Sequence, residues 1–319
     1  MSRRQRILLD TDPGIDDAIA LWMLARDPRA ELVGLSTVFG NADVHTTTAN
    51  ALALCHRFGL EVPVARGAAQ PLQRPARPFP VEIHGRDGLG DVAPHPPHGR
   101  SAAPSAAAQF ICDMARRHEG ELTLLAVGPL TNLAQALALD PELPRRVPRV
   151  VVMGGAFGTL GHSGNVTPVA EANVYCDPHA ADAVFGAPWP VTVVGLDVTH
   201  QVLMSTAYLD KLGEDGGEDG LYLRAITRPY ERYYRQRTGG GLYAHDASAV
   251  ACALDPSRFQ TRHGALRVVT DGLALGHTIQ SQRGHRHAAT DWHGLPEQQV
   301  CIAVDADGVL ADVGACLRR

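Results

Sequence analysis

Four aspartates stand within eight residues near the start of the chain, at Asp10, Asp12, Asp16 and Asp17. Carboxylates this close repel one another, so the cluster needs a cation, a proton or open water. A helix N-terminus would stabilise Asp16 and Asp17, but Asp10 and Asp12 precede the helix. An all-oxygen cluster suits a hard cation, and Ca²⁺ accepts irregular geometry more readily than Mg²⁺. The pattern therefore predicts a cation site.

These aspartates lie at a predicted strand-to-helix turn. Residues 7–9 form a short apolar run that indicates a buried strand, and an apolar helical stripe starts at Ile15. Pro13 and Gly14 favour a tight turn between the two. In an α/β protein, the carboxyl end of a strand is where sites are usually built, so we expect a site here.

Apolar runs alternate with helical patterns over most of the chain. Strands are predicted at 31–38, 122–128, 149–155 and 189–195, and helices at 46–59, 105–118, 130–140 and 178–186. Continuous apolar strands are typical of parallel sheets covered on both faces. We therefore predict one α/β domain over residues 1–319. It has an open, mostly parallel, doubly wound sheet with a Rossmann-like core, flanked by helices, and its site lies at the C-terminal ends of the strands.

Three stretches interrupt this alternation. Residues 71–104 carry eight prolines and the segment IHGRDGLGD, which predicts a functional or disordered loop. Residues 154–177 are glycine-rich and polar. Residues 213–220 read GEDGGEDG and are predicted to be a solvated acidic loop without further function.

The composition restricts the classes of partner. The net charge is −5 without a basic run, which argues against nucleic acid or an anionic membrane as partners. The six cysteines are scattered without a CxxC pair, and no apolar run has the length of a signal or membrane segment. These features predict a reduced cytoplasmic protein without a zinc site.

Six further segments, together with the opening motif, carry a resemblance to a known family. The segment DTDPGIDDAIA resembles the N-terminal signature of the inosine–uridine-preferring nucleoside hydrolase family. The other matching segments follow in family order: FGN with TTTANAL, IHGRDGLGD, VGPLTNLA, VVMGGAF, GNVTPVAEANVYCDP and YAHDASAV. The resemblance spans residues 7 to 250. It implies an open α/β fold, a tightly bound Ca²⁺ and hydrolysis of the N-glycosidic bond of ribonucleosides in purine and pyrimidine salvage and catabolism. It also implies a homodimer or homotetramer.

The resemblance assigns roles residue by residue. The carboxylates of Asp12, Asp17 and Asp246 match calcium ligands, and Thr131 matches a residue that gives its backbone carbonyl to the metal. Asp10 matches an acid behind these ligands. The residues that match the ribose site are Asp16, Asn41, Asn165, Glu171 and Asn173, with Met153 as an apolar wall.

The chemistry of hydrolysis agrees with these types of residue. A Ca²⁺ can bind a water and lower its pKa, and Asp12 is the natural general base for that water. Carboxylates and amides around the sugar stabilise the oxocarbenium-like centre that forms when the base leaves. An alternative for Asn165, Glu171 and Asn173 is plain turn chemistry in a polar loop.

Two histidines are predicted to act on the leaving base. His84 and His245 match family members that act on pyrimidines or on a broad range of bases. A histidine with a pKa near neutrality can donate a proton to the leaving base, or it can hydrogen-bond the exocyclic oxygen of that base. For His245, support of Asp246 is the alternative. His285, His287 and His293 are predicted to lie in a solvated loop rather than in a metal site.

One position departs from the family pattern. Ala172 stands where many members carry Phe, which would widen the pocket near the 5′ side of the ribose and leaves the preferred base and the acceptance of deoxyribose open. A helix that carries Tyr230, Tyr233 and Tyr234, followed by glycines, resembles a mobile lid, and any of the three rings could face the site.

Two other functions compete. A haloacid-dehalogenase-type phosphatase would use Asp10 as nucleophile, but it normally needs a lysine, and the single lysine is Lys211 in an acidic stretch. A non-catalytic, calcium-dependent nucleoside-binding protein would be favoured if Asp12, Asp17 or Asp246 were missing. All three are present. The sequence therefore favours the hydrolase.

Overall fold

A computed structural model describes residues 4–92 and 98–316. The predicted loop 71–104 and the predicted domain 1–319 thus extend in part outside the described residues. The strands are β1 (Gln5–Thr11), β2 (Ala30–Thr37), β3 (Val64–Arg66), β4 (Leu122–Ala126), β5 (Arg149–Met153), β6 (Val191–Val194), β7 (Leu203–Met204), β8 (Leu242–Tyr243), β9 (Phe259–Val268), β10 (Thr278–Gln280) and β11 (Glu297–Val304).

The helices separate these strands along the chain. They are α1 (Ile15–Arg26), α2 (Val44–Arg57), α3 (Val81–His84), α4 (Ala107–Arg117), α5 (Thr131–Leu139), α6 (Leu143–Arg146), α7 (Ala172–Cys176), α8 (Pro178–Gly186), α9 (Leu196–Thr199), α10 (Thr206–Asp215), α11 (Gly217–Thr238), α12 (His245–Leu254) and α13 (Ala306–Cys316). Every helix and strand whose bounds the sequence predicts begins and ends within two residues of an observed element.

The strand order explains why the site forms where it does. Among the described residues, the main sheet runs β10-β9-β11-β6-β5-β4-β1-β2-β3, with β7 and β8 paired separately. Pairing is parallel from β3 to β11 and antiparallel at β11–β9 and β9–β10. The order reverses between β1 and β4, and such a switch point opens a crevice at the carboxyl ends of the strands. The predicted fold class is confirmed.

The alternation along β1 shows how the sheet is buried on both faces. Ile7 and Leu9 pack into the apolar cluster with Ile19 of α1, whereas Leu8 packs into the opposite cluster with Ile111 of α4. All these side chains are excluded from water, so a continuous apolar run is required here instead of an alternating one. No helix of the described ranges 4–92 and 98–316 is long and apolar enough to cross a lipid bilayer.

The prediction of an acidic loop at residues 213–220 is wrong. The segment holds the end of α10 and the start of α11, with the break at Gly216 and Gly217, where φ is +60° at Gly217. Gly213 and Gly220 are buried where the two helices touch, and a Cβ at Gly220 would lie 2.5 Å from the carbonyl oxygen of Leu212. The glycines allow close packing of helices, which local composition does not reveal.

Candidate active site

A cleft opens at the carboxyl ends of the strands. Asp12 follows β1, Asn41 follows β2, Val127 follows β4 and Met153 ends β5. The cleft is lined by every predicted site residue except Asp17 and Thr131: Asp12, Asp16, Asn41, His84, Met153, Asn165, Glu171, Asn173, His245 and Asp246.

Three carboxylates gather at one end of this cleft. Oxygens of Asp16, Asp17 and Asp246 all lie within 4.8 Å of one another, and within the described part of the chain this is the sole such group of potential metal ligands. Asp16 and Asp17 stand in the first turn of α1, and Asp246 stands in the first turn of α12. Two helix N-termini therefore converge here, and their dipoles favour negative charge. The resemblance implies Asp12, Asp17 and Asp246 as the ligands, whereas the group observed here contains Asp16 instead of Asp12.

Asp12 and Asp17 are held by the backbone around them. Asp17 accepts hydrogen bonds from Thr11 Oγ1 at 2.5 Å, from the Gly14 amide at 2.9 Å and from Asn41 Nδ2 at 3.0 Å. Asp12 Oδ2 accepts one from the Asn41 amide at 2.8 Å. A Cβ at Gly40 would lie 2.0 Å from the same Asp12 oxygen, so only glycine permits this approach.

Burial and mutual repulsion make the acid cluster costly without a cation. Burial, followed by the charge of Asp17, raises the pKa of Asp12 well above its usual value, and the same causes raise the pKa of Asp16 to about 8. Asp12 Oδ1 and Asp16 Oδ1 are buried without a hydrogen-bond partner among the described residues. Buried acceptors that lack donors, all of them oxygens, fit a hard cation such as Ca²⁺.

Asp10 does not suit the role of nucleophile that a phosphatase would require. It is buried and is absent from the lining of the cleft. Its Oδ1 accepts hydrogen bonds from Ser36 Oγ at 2.5 Å and from Asn132 Nδ2 at 2.8 Å. Burial, which these two bonds oppose, raises its pKa to about 7. The residue therefore supports the sheet behind the site.

The polar loop 164–173 supplies the next wall. Glu171 caps α7, and its two oxygens accept hydrogen bonds from the amides of Asn173 at 2.8 Å, Gly155 at 2.9 Å and Val174 at 3.1 Å. Asn173 Nδ2 donates to the carbonyl of Val127 at 2.8 Å, and Asn165 Oδ1 is buried without a described partner. Glu171 therefore both stabilises the turn before α7 and lines the cleft.

Both predicted histidines line the cleft, but their protonation differs from the prediction. Burial lowers the pKa of His84 to about 3, assisted by Arg77, and burial lowers the pKa of His245 to about 3, assisted by His200. The expected near-neutral pKa is therefore wrong, because both imidazoles are shielded from water beside other basic groups. His84 Nδ1 accepts from the Ile15 amide at 3.3 Å, which leaves Nε2–H as its donor.

The contact of His245 agrees with either role proposed for it. Its Nδ1 lies 2.9 Å from Thr199 Oγ1, which fixes the ring at the start of α12. Thr131, the remaining predicted ligand, is buried at the start of α5, and its Oγ1 donates to Asp177 at 2.7 Å. Its side chain is thus already paired, and only its backbone would serve a metal.

The sequence did not predict two arginines of the cleft, and it did not decide which of three tyrosines face the cleft. Tyr230, Tyr233 and Tyr234 all line it; Tyr230 and Tyr234 are buried, whereas Tyr233 is exposed. Arg237 lines it too, and its helical spacing from Tyr233 and Tyr234 was an available signal. Arg77 also lines the cleft from the proline-rich loop, where no periodicity could have indicated it.

The three histidines and the cysteines that were considered as metal ligands are not part of the acid cluster that the described residues form. His285 and His293 are exposed and His287 is half-buried, as expected for a solvated loop. Among the described residues they form no cluster with metal-ligand spacing. The six cysteines are buried free thiols.

Comparisons with known proteins agree with this geometry. The family described as inosine-uridine preferring nucleoside hydrolase matches residues 7–311. Uridine nucleosidase 1 of Arabidopsis thaliana is 38% identical over 322 residues, covering 100% of this chain and 95% of that protein. A solved plant nucleoside hydrolase has a TM-score of 0.93 at 35% identity and covers 98% of this chain and 99% of that one. A purine-preferring ribonucleoside hydrolase from Gardnerella vaginalis has a TM-score of 0.90 at 31% identity, covering 98% of each chain.

Proposed function

The chain belongs to the inosine-uridine preferring nucleoside hydrolase family, and we propose from that premise how its cleft works and which bases it accepts. The reaction is hydrolysis of the N-glycosidic bond of a ribonucleoside to a free base and ribose. The observation that carries the proposal is the meeting of buried acids and neutral histidines in one cleft.

The acid end of the cleft is proposed to hold one Ca²⁺. Its ligands are the carboxylates of Asp12, Asp17 and Asp246 and the carbonyl of Thr131. When bound, the ion supplies positive charge that polarises a water and the ribose diol. The unpartnered oxygen of Asp12 and the convergence of the other acids support this assignment.

Asp12 is proposed as the general base. Its Oδ1 is the buried acceptor that has no described partner, whereas its Oδ2 is held by the Asn41 amide. The Asn41 bond therefore fixes the carboxylate beside the proposed ion, where it would take a proton from the water that the ion polarises.

The sugar is proposed to lie between the acids and the polar loop. Asp16, Asn41, Asn165, Glu171 and Asn173 bind its hydroxyls, with Met153 as an apolar wall. The nitrogens of Asn173 and Asn41 are engaged with the protein, so their amide oxygens remain as acceptors for hydroxyl groups. Negative and dipolar groups around the ring also stabilise the positive charge that develops as the bond breaks.

The leaving base is proposed to receive hydrogen bonds from His84 and His245. Both are neutral imidazoles, so each acts through an N–H donor toward developing negative charge. A pyrimidine lacks the basic ring nitrogen that helps a purine leave, so such donors favour a pyrimidine-preferring or broad range of bases. The similarity to a uridine nucleosidase supports this range.

The role in purine and pyrimidine salvage, the cytoplasmic location and the homodimeric or homotetrameric state implied by the resemblance stay predictions. Light scattering of the purified chain at several concentrations tests the last of these. A mass of one chain at every concentration would contradict it.

The test of function is release of ribose from a panel of uridine, cytidine, inosine and guanosine. Reducing sugar is measured with calcium, after chelation, and after calcium is restored. We expect uridine or cytidine turnover that chelation stops and calcium restores. Good inosine turnover without any pyrimidine turnover would contradict the base range, and turnover that survives complete chelation would contradict the metal.

A further inference from the structure

The guanidinium of Arg77 stands in the cleft and forms no ion pair with a residue that the structure describes. Arg77 lines the cleft and is half-buried, and its Nη1 is buried without a hydrogen-bond partner among the described residues. Within the ranges 4–92 and 98–316 it forms no ion pair. A partly buried cation without a partner is costly, and a nucleoside is neutral, so the established substrate class does not explain this charge.

The charge of Arg77 acts on the polar-loop wall and on His84. It lowers the pKa of Glu171 and of Cys176 against the larger, opposite effect of burial. Among the described residues it forms no ion pair with Asp12, Asp16 or Asp246, although all of them line the same cleft. Arg77 therefore does not serve to neutralise the metal-binding acids.

Glu171 makes no direct polar contact with Arg77 either, although the two charges attract each other. Its two oxygens already accept three backbone amides, and no ion pair joins the two side chains. Ala172, the next residue, adds only a methyl group to this wall of the cleft. The wall therefore offers both a free guanidinium and space beside it.

The position of the sugar, which rests on the proposed function, decides which group meets this wall. With the 2′ and 3′ hydroxyls at the acids and the base at the histidines, the 5′ carbon is left to point along the polar loop. We propose that Arg77 binds a phosphate at this carbon, and that the protein also hydrolyses nucleoside 5′-monophosphates. Arginine matches phosphate with paired N–H donors, and a phosphate monoester carries close to two negative charges at neutral pH.

The reaction needs no component beyond water. The hydroxyl of water bonds to C1′ as the bond from C1′ to the base nitrogen breaks, and the remaining proton goes to the base. Uridine 5′-monophosphate thus gives uracil and ribose 5-phosphate, and the phosphate ester stays intact.

Arg77→Gln is the variant that tests this inference, and Arg74→Gln is its matched control. Arg74 is three residues away, lies 5.7 Å from the centre of the Tyr175 ring and does not line the cleft. Uracil release from uridine 5′-monophosphate and from uridine is measured with all three proteins, and inorganic phosphate is assayed to exclude prior loss of the ester. We expect turnover of both substrates by the wild type. The kcat/KM for uridine 5′-monophosphate divided by that for uridine should fall at least about 30-fold in Arg77→Gln and stay constant in Arg74→Gln.

Binding gives a second readout that is independent of turnover. Ribose 5-phosphate should bind the wild type at least about tenfold more tightly than ribose, and Arg77→Gln should remove that preference. Uridine turnover without any from the monophosphate, or a ratio unchanged in Arg77→Gln, would overturn the inference and leave the proposed function standing. Inactivity on both substrates would instead contradict the proposed function. Inhibition by inorganic phosphate without monophosphate turnover would mean that the arginine binds a free anion, which also overturns the inference.

Discussion

At the scale of single residues, two acids that are neighbours in the sequence have different roles because their surroundings differ. Asp10 and Asp12 are two residues apart, and each has one buried oxygen without a partner among the described residues. Asp10 is held behind the sheet by Ser36 and Asn132 and does not line the cleft, whereas Asp12 does. A carboxylate that does not line the cleft cannot reach a water that attacks the substrate there. The chemistry thus falls to Asp12.

Removal of the Asp12 carboxylate should stop the reaction. Asp12→Ala is expected to lose at least about three orders of magnitude in kcat, because it removes a general base and a metal ligand together. Asn173→Ala should lose about one to three orders, since it removes a sugar contact and the hydrogen bond to the Val127 carbonyl but neither the base nor a metal ligand. Steady-state kinetics on the best nucleoside, with thermal melting to verify folding, measure both. Near-native turnover of Asp12→Ala would show that another group activates the water.

His245 has two possible roles that kinetics can separate. If it donates a hydrogen bond to the leaving base, His245→Ala should reduce kcat/KM for uridine by about 10² to 10⁴, and for p-nitrophenyl riboside by less than about tenfold. The nitrophenolate leaves without help from a donor. Equal losses on the two substrates would assign His245 to the support of Asp246.

At the scale of elements, the site depends on where helices begin. The N-termini of α1 and α12 bring Asp16, Asp17 and Asp246 together. The helix α11, whose first turns pack on α10 through glycines, carries Tyr230 and Tyr234 into the same cleft. The packing of α10 on α11 therefore positions an aromatic wall of the site.

The glycine contact between these helices should be sensitive to bulk. Gly220→Val would force a Cβ to 2.5 Å from the Leu212 carbonyl oxygen, so we expect a loss of about 1–3 kcal/mol in the free energy of unfolding. Glu218→Val introduces the same side chain at an exposed site of α11 and should cost less than about 1 kcal/mol. Urea denaturation at constant m-value measures both. Equal effects would mean that the helices do not need the close contact.

At the scale of the whole molecule, a bound cation would join distant parts of the chain. Its proposed ligands come from the turn after β1, from the first turn of α1, from the start of α5 and from α12, which is more than two hundred residues away from β1 in sequence. Metal binding to the native state stabilises it by mass action, because the unfolded chain has no such site.

Calcium should therefore raise the melting temperature. At a calcium concentration of about 100 Kd the gain is about 2.7 kcal/mol, which corresponds to about 4 °C for a chain of this size. Asp246→Asn should abolish the shift, and sodium chloride at equal ionic strength should not reproduce it. Differential scanning calorimetry with and without chelator provides the measurement. A melting temperature independent of calcium in the wild type would contradict the metal site.

The local sequence determined the strands, the first helices and the acid turn. Residues 7–9 and the periodic stripe from Ile15 require a buried strand followed by a packed helix, whatever the remainder of the chain does. The order of these elements also fixes a doubly wound sheet, because parallel strands with helical crossovers have few ways to connect. Asp246 and the two histidines were reached only through the resemblance of their motifs to a family.

Tertiary structure alone decided three other features. It brought Asp16 into the carboxylate triad, turned residues 213–220 into two packed helices, and lined the cleft with Arg77. It also made His84 and His245 neutral, since a pKa depends on burial and on neighbours that lie far away in sequence. Propensity and periodicity describe a residue against its neighbours in the chain, whereas contacts, burial and charge arise between segments that only the folded molecule brings together.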